Sequence, residues 1–268
     1  MPVYLGKNKV DTNILMPNRL NKVLDKTITE ITAEDMAGVT ELSGHNFQGC
    51  KYLTKAYLPE TLESLGSYAF SECTALKSIV IPKNITKIPQ HCFSDCTSLT
   101  EITMPEGVVE IDSNAFYRDV SLENIVIPST VTTINATAFS GTNLKSVTIP
   151  EGVTTISANL FLNCAALTTV NLLGAIKTLS SKCFYNCAVL NNLVIPATVT
   201  NFASNSIGEC PALTTITVLA TNPPTLASNV FANVPLSVIY IPSGTLQAYK
   251  AATNWSKFSD LFVELSEV

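Results

Sequence analysis

The chain reads as a right-handed repeat solenoid, with one short parallel strand per 23-residue repeat and a cap at each end. Three observations predict it. A Phe recurs at Phe47, Phe70, Phe93, Phe116, Phe139, Phe161, Phe184 and Phe231, with Ile207 in the missing slot, at spacings of 22 to 24 residues. A Pro recurs in step at Pro59, Pro82, Pro105, Pro128, Pro150, Pro196 and Pro242. The apolar content, 46% of 268 residues, is spread evenly, and no window approaches the ~18–20 uninterrupted apolar residues of a membrane-spanning helix. A short repeat cannot bury both sides of its own apolar set, so neighbours must stack.

Each element of the unit follows from its residues. A Leu stands six residues after most of the Phe positions, as in Leu76, Leu99 and Leu122. Apolar pairs with period 2 follow, such as Ile79/Ile81, Ile102/Met104 and Val147/Ile149, and predict a short strand. The Pro after the pair lacks a ladder donor and stops the strand. A Val/Ile pair spaced by two, as in Val108/Ile111 and Val131/Ile134, fits neither helix nor strand cleanly and predicts an extended or 3₁₀ return segment. The Phe then opens a turn and plugs the interior. Nine units at the ~4.8 Å strand spacing predict a rod roughly 40 Å long.

The ends differ. Residues 1–40 do not repeat cleanly and predict a cap or an assembly segment through which the chain could self-associate; Ile28 and Ile31 fit a degenerate first unit. Residues 41–242 hold the nine repeats. In residues 243–268, Leu246, Tyr249, Ala252, Trp255 and Phe258 have helical spacing and predict a capping helix. Trp255 belongs to its apolar face; a ligand platform is the alternative.

The pattern resembles the BspA-type leucine-rich repeats of bacterial surface proteins, over about residues 40–242. Asn222, Pro223, Pro224, Tyr240, Pro242, Gly244, Tyr249, Trp255 and Phe258 stand in the order of that family's usual ending. The resemblance implies a leucine-rich-repeat coil, secretion and an adhesin-like binding role. Two departures predict local bends or bulges: Leu173 and Gly174 replace the Pro of the sixth repeat, and Leu219 and Ala220 that of the eighth. Residues 1–10 lack the following apolar run of a signal peptide. The expected location is therefore the cell surface if a leader is missing from this chain, and otherwise a virion or the cytoplasm. The opening Val3-Tyr4-Leu5-Gly6-Lys7-Asn8-Lys9-Val10 is similar to the short starts of some phage tail-associated proteins.

Chemistry is sparse. Six of the eight cysteines sit three residues after the Phe slot, at Cys50, Cys73, Cys96, Cys164, Cys187 and Cys210, and Cys92 and Cys183 directly precede a Phe. These are places for small buried hydrophobes. Stacked ladder positions about 5 Å apart do not by distance exclude a disulfide, but parallel side chains favour thiols. Cys92/Cys96 and Cys183/Cys187 lie four repeats apart, too far to share a zinc ion. His45 and His91 stand two residues before a Phe, where other repeats carry unrelated residues, which predicts a solvated slot without a catalytic partner. No nucleotide or nucleophile motif appears, so neither enzymatic activity nor a cofactor is expected. The net charge of −5 argues against nucleic acid and anionic membranes as partners.

One exposed row remains. The residue between the two inward strand residues points outward, and over the repeats it reads Tyr57, Val80, Thr103, Val126, Thr148, Asn171, Val194, Thr217 and Tyr240. These are good strand formers, and they also make a flat, uncharged face for a protein or glycan partner, with Tyr57 and Tyr240 as aromatic anchors. The expected function is a non-enzymatic binding or adhesion module. A phage virion component and an intracellular scaffold are the alternatives.

Overall fold

In a computed structural model that describes residues 3–5, 8–10 and 26–266, the chain winds into a parallel β-solenoid of about ten turns at roughly 23-residue spacing. The turns build three ladders of hydrogen bonds, the first of them interrupted. The first carries the predicted strands. Glu30–Ile31, Lys55–Ala56, Ser78–Val80 and Glu101–Thr103 pair in parallel. Ser146–Ile149 then pairs with Thr169–Leu172. A third group runs Asn192–Ile195, Thr215–Val218, Val238–Ile241 and Phe262–Glu264. Burial alternates as the period-2 pattern requires, with Val147 and Ile149 enclosed and Ser146 and Thr148 exposed.

The second ladder lies in the return segment. After each Pro a turn closes, with the N–H three residues on donating to the Pro carbonyl: Val108 to Pro105, Val131 to Pro128, Val153 to Pro150. A two-residue strand follows. Lys87–Ile88, Glu110–Ile111 and Thr133–Ile134 form one parallel set, and Thr155–Ile156, Thr178–Leu179, Asn201–Phe202 and Thr225–Leu226 another. The ambiguous Val/Ile spacing thus combines a turn with a strand. Two strands per turn replace the single one expected.

The third ladder lies in the Phe turn. There every second N–H donates to the following repeat: Tyr68 to Gln90 O, Phe70 to Cys92 O and Glu72 to Ser94 O. The residues on either side of Phe70 that make these bonds, Tyr68 and Glu72, are left-handed, with φ of 60° each. The same pair recurs as His91/Asp95, Asn114/Arg118 and Asn159/Asn163. The slot before the Phe is therefore constrained by its backbone. His45 and His91 are half-buried rather than solvated, stacked on the two faces of Tyr68 at 4.7 and 4.5 Å between ring centroids.

The core follows the repeat. Seven Phe rings from Phe47 to Phe184 stack with centroids 5.3–5.8 Å apart, close to the offset arrangement that aromatic pairs prefer. All eight cysteines are buried free thiols.

Parallel pairing also reaches the two end segments. Glu30–Ile31 forms a parallel rung within residues 1–40, because Ile28 and Ile31 bury as repeat residues do. Residues 243–268 are not one helix. Leu246–Ala251 is helical, a 3₁₀ helix spans Trp255–Leu261, and Phe262–Glu264 adds a final strand. Left-handed Asn254, at φ 64°, breaks the helical run. Trp255 is fully enclosed, its Nε1–H donating to Pro224 O at 2.7 Å, which gives it to the cap. Val3–Leu5 and Asn8–Val10 pair as an antiparallel hairpin; the expected assembly role of the segment falls mainly on residues 11–25, outside the described residues. Among the described residues no helix is long and apolar enough to cross a membrane.

Candidate binding face

The first ladder positions the predicted row. Inward apolar residues fix each strand's register, and register fixes which residue faces out. Val80 pairs with Thr103, Thr148 with Asn171, and Val194 with Thr217, which pairs with Tyr240. Asn171 Nδ2 donates to Thr148 Oγ1 at 3.2 Å. Tyr57, Val80, Val126 and Val194 are exposed, Val126 by 80%. Thr217 and Tyr240 are only half-exposed, so the row fades toward the C-terminal end.

The row is not continuous. Residues 124–127 join no strand, and the ladder stops at Thr103 and resumes at Ser146. A surface groove of about 560 Å³ opens there, lined by Thr103, Met104, Asn124, Ile125 and Val126 among others. The second interruption follows Leu172, beside the Pro-less bend at Leu173 and Gly174. A groove of about 520 Å³ opens against Thr148, Asn171, Leu172 and Val194. At the eighth repeat the first ladder runs through unbroken, and the expected bend falls after it, at Thr221 and Asn222, where the return takes one extra residue before Thr225 pairs with Asn201. The gap at the fourth repeat has no counterpart in the sequence pattern, since Ile125 and Ile127 are ordinary strand residues.

Five of the nine row residues thus line grooves: Thr103 and Val126 the first, Thr148, Asn171 and Val194 the second. Met104, read from the sequence as one of an inward pair, is only partly buried, and with partly buried Ile125 and Leu172 it supplies apolar walls. The face holds little charge beyond Glu101, an exposed carboxylate that lines the first groove. Lys55 lies 3.9 Å from Glu30, and Lys145 bonds Glu123 at 2.5 Å beside the first groove; exposed pairs of this kind contribute ~0–1 kcal/mol. Among the described residues no group of three or more His, Cys, Asp or Glu side chains is placed to hold a metal ion.

Compared with known families, residues 24–142 and 132–257 match the BspA type leucine rich repeat region, in six copies. Among solved structures the chain is similar to a leucine rich repeat protein of T. pallidum, at 26% identity over 74% of this chain and 86% of that one, with a TM-score of 0.50. It is also similar to a leucine-rich repeat protein from Bacteroides ovatus, at 18% identity over 99% of this chain and 90% of that one, TM-score 0.47. A leucine rich cell surface protein from Faecalibacterium prausnitzii shares 21% identity over 81% and 80%, TM-score 0.36. No curated protein sequence matches the chain.

Proposed function

This chain belongs to the BspA-type leucine-rich repeat family, and from that premise we propose that it is a non-enzymatic binding module that docks a protein on its strand face. One observation carries the reading. The strand face presents Val80, Val126 and Val194 with neutral Thr and Asn neighbours, and the first ladder is interrupted twice, at Val126 and after Leu172, each time beside a groove of several hundred Å³. Exposed valines at ladder spacing offer apolar contact, and the grooves offer the concavities into which a partner's anchor side chains fit. A protein suits this chemistry better than a glycan, because the aromatic side chains of the row, Tyr57 and Tyr240, sit at its opposite ends. Low charge argues that affinity depends weakly on salt.

A surface location agrees with the family expectation and with the thiols. Cysteines enclosed this completely are kept from oxidants and partner thiols and persist unpaired in an oxidising medium.

The test is an array of bacterial and host surface proteins beside an array of glycans, probed with the whole chain and with Val126→Lys, Asn171→Asp and Thr132→Lys. Thr132 is exposed and adjoins the second ladder. Protein ligands that lose about tenfold or more in affinity, ~1.4 kcal/mol, with the first two variants and nothing with the third support the reading. Glycan-only binding would change the partner class. Binding indifferent to both strand-face variants overturns the site.

A further inference from the structure

Asp119 stands in a slot otherwise made for a small donor. Three residues after the Phe, successive repeats carry Cys50, Cys73, Cys96, Asp119, Thr142, Cys164, Cys187 and Cys210. The thiols act alike. Cys73 Sγ donates to Phe47 O at 3.1 Å, Cys96 to Phe70 O at 3.1 Å, Cys187 to Phe161 O at 3.3 Å and Cys210 to Phe184 O at 3.0 Å, each reaching one turn back. Asp119 is completely enclosed among them. Its Oδ1 accepts the Cys96 N–H at 2.8 Å, and its Oδ2 has no hydrogen-bond partner. An ionised carboxylate here is an uncompensated buried charge, whereas a protonated one is neutral; unlike the thiols of the other repeats, its Oδ2 reaches no acceptor in this geometry.

The surroundings offer the charge no compensation. The preceding turn brings Cys92, Asp95 and Cys96, two thiols and a like charge. On its own turn Arg118 faces Asp95 at 3.5 Å and is largely exposed. The following turn, residues 140–143, brings Ser, Gly, Thr and Asn. Burial pushes the Asp119 carboxyl well above the usual range, against the pull of the Cys96 N–H, and Asp95 adds to the rise. The Asp119 carbonyl accepts the Leu122 N–H at 3.0 Å. The next residues, 123–127, are those that leave the ladder and border the first groove.

We propose that Asp119 is a pH-sensitive latch in the middle of the solenoid: protonated, it closes the fourth repeat, and ionised, it loosens that repeat and the strand-face groove beside it. The sign follows from linkage. Below the unfolded value of about 3.9 both forms are protonated and the latch is fully closed. As pH rises from there through the native value, the open form alone loses its proton, and its population grows by up to tenfold per pH unit.

The test is native-state hydrogen exchange of residues 116–127 between pH 4 and pH 8, corrected for intrinsic exchange, on the whole chain and on Asp119→Cys, which restores the thiol of the other repeats. Opening that climbs toward tenfold per pH unit in the native sequence and stays flat in the variant supports the latch. The same slope in both overturns it. Should Asp119→Cys not fold, the ¹³C carboxyl resonance of Asp119, assigned by its loss in Asp119→Asn, decides: a native titration near 3.9 overturns the latch, and one displaced upward supports it.

Discussion

At the scale of single residues, the ladders make each side chain's environment a copy of its neighbours'. Phe116 is fully enclosed, between Phe93 at 5.7 Å and Phe139 at 5.5 Å, with ring planes within 8°. Phe116→Ala removes a ring from an unbroken stack that cannot close around the space. The expected destabilisation in chemical denaturation is about 3–5 kcal/mol; a loss below about 1 kcal/mol would mean that the Phe is not a plug. The thiols give a second expectation. Burial raises Cys50 and Cys164 to about 11 each, and Cys92 and Cys183 further, whereas the hydrogen bond with Cys187 holds Cys210 below the ordinary thiol value, so that its protection rests on enclosure alone. At pH 7 a thiol with a pKa of 11 is thiolate for only about one part in 10⁴. All eight should stay unlabelled by iodoacetamide until the chain unfolds, as read by intact mass; prompt labelling of several in the folded protein would contradict the buried ladder. These side chains were legible because they recur. Asp119 was not, since a pattern read as cysteine positions passes over the one repeat that carries an acid. Its signal was there: an ionisable residue where six copies place a thiol.

At the scale of elements, the strand and its outward row were readable, because alternation and Pro together fix length, face and stop. The second strand was not, since two residues are too few to show a period. The left-handed pair around each Phe left a partial trace in Asn114, Asn159, Asn163, Asn186 and Gly141, residues that tolerate positive φ, but Tyr68 and Lys182 at equivalent places obscured it. The cap shows why spacing alone misled. Its apolar residues serve a helix, a 3₁₀ turn and a strand in succession. They are pinned by polar tips that spacing does not describe: Tyr249 Oη–H donates to Ala220 O, and Trp255 Nε1–H to Pro224 O, each at 2.7 Å. Tyr249→Phe keeps the packing and leaves the Ala220 carbonyl without this donor. The expected effect is a loss of about 1–3 kcal/mol, read as earlier unfolding of the C-terminal repeats. No change in their protection would mean that solvent satisfies that carbonyl and the cap is looser than its geometry indicates.

At the scale of the molecule, the architecture is one-dimensional: a repeat touches its two neighbours and little else, so stability is a chain of interfaces rather than one core. That makes the ends decisive. The C-terminal segment covers Phe202 and Phe231 with Trp255, whose ring centroid lies 5.8 and 6.2 Å from theirs, and pairs the last strand edge through Ile239–Phe262 and Ile241–Glu264. A chain ending at residue 244 would bare that apolar end and an unpaired edge together, the combination that invites edge-to-edge association. Such a chain is expected to bind a hydrophobic dye, to self-associate, and to lose exchange protection in a graded way. The repeats near Phe231 and Ile207 should lose it first, and those near Phe70 and Phe93 should keep it, because coupling passes only from neighbour to neighbour. Hydrogen exchange read along the chain separates this from the alternative. Equal loss of protection at Phe93 and Phe231 would show a single cooperative core, and the latch at Asp119 would then move the whole molecule rather than the fourth repeat.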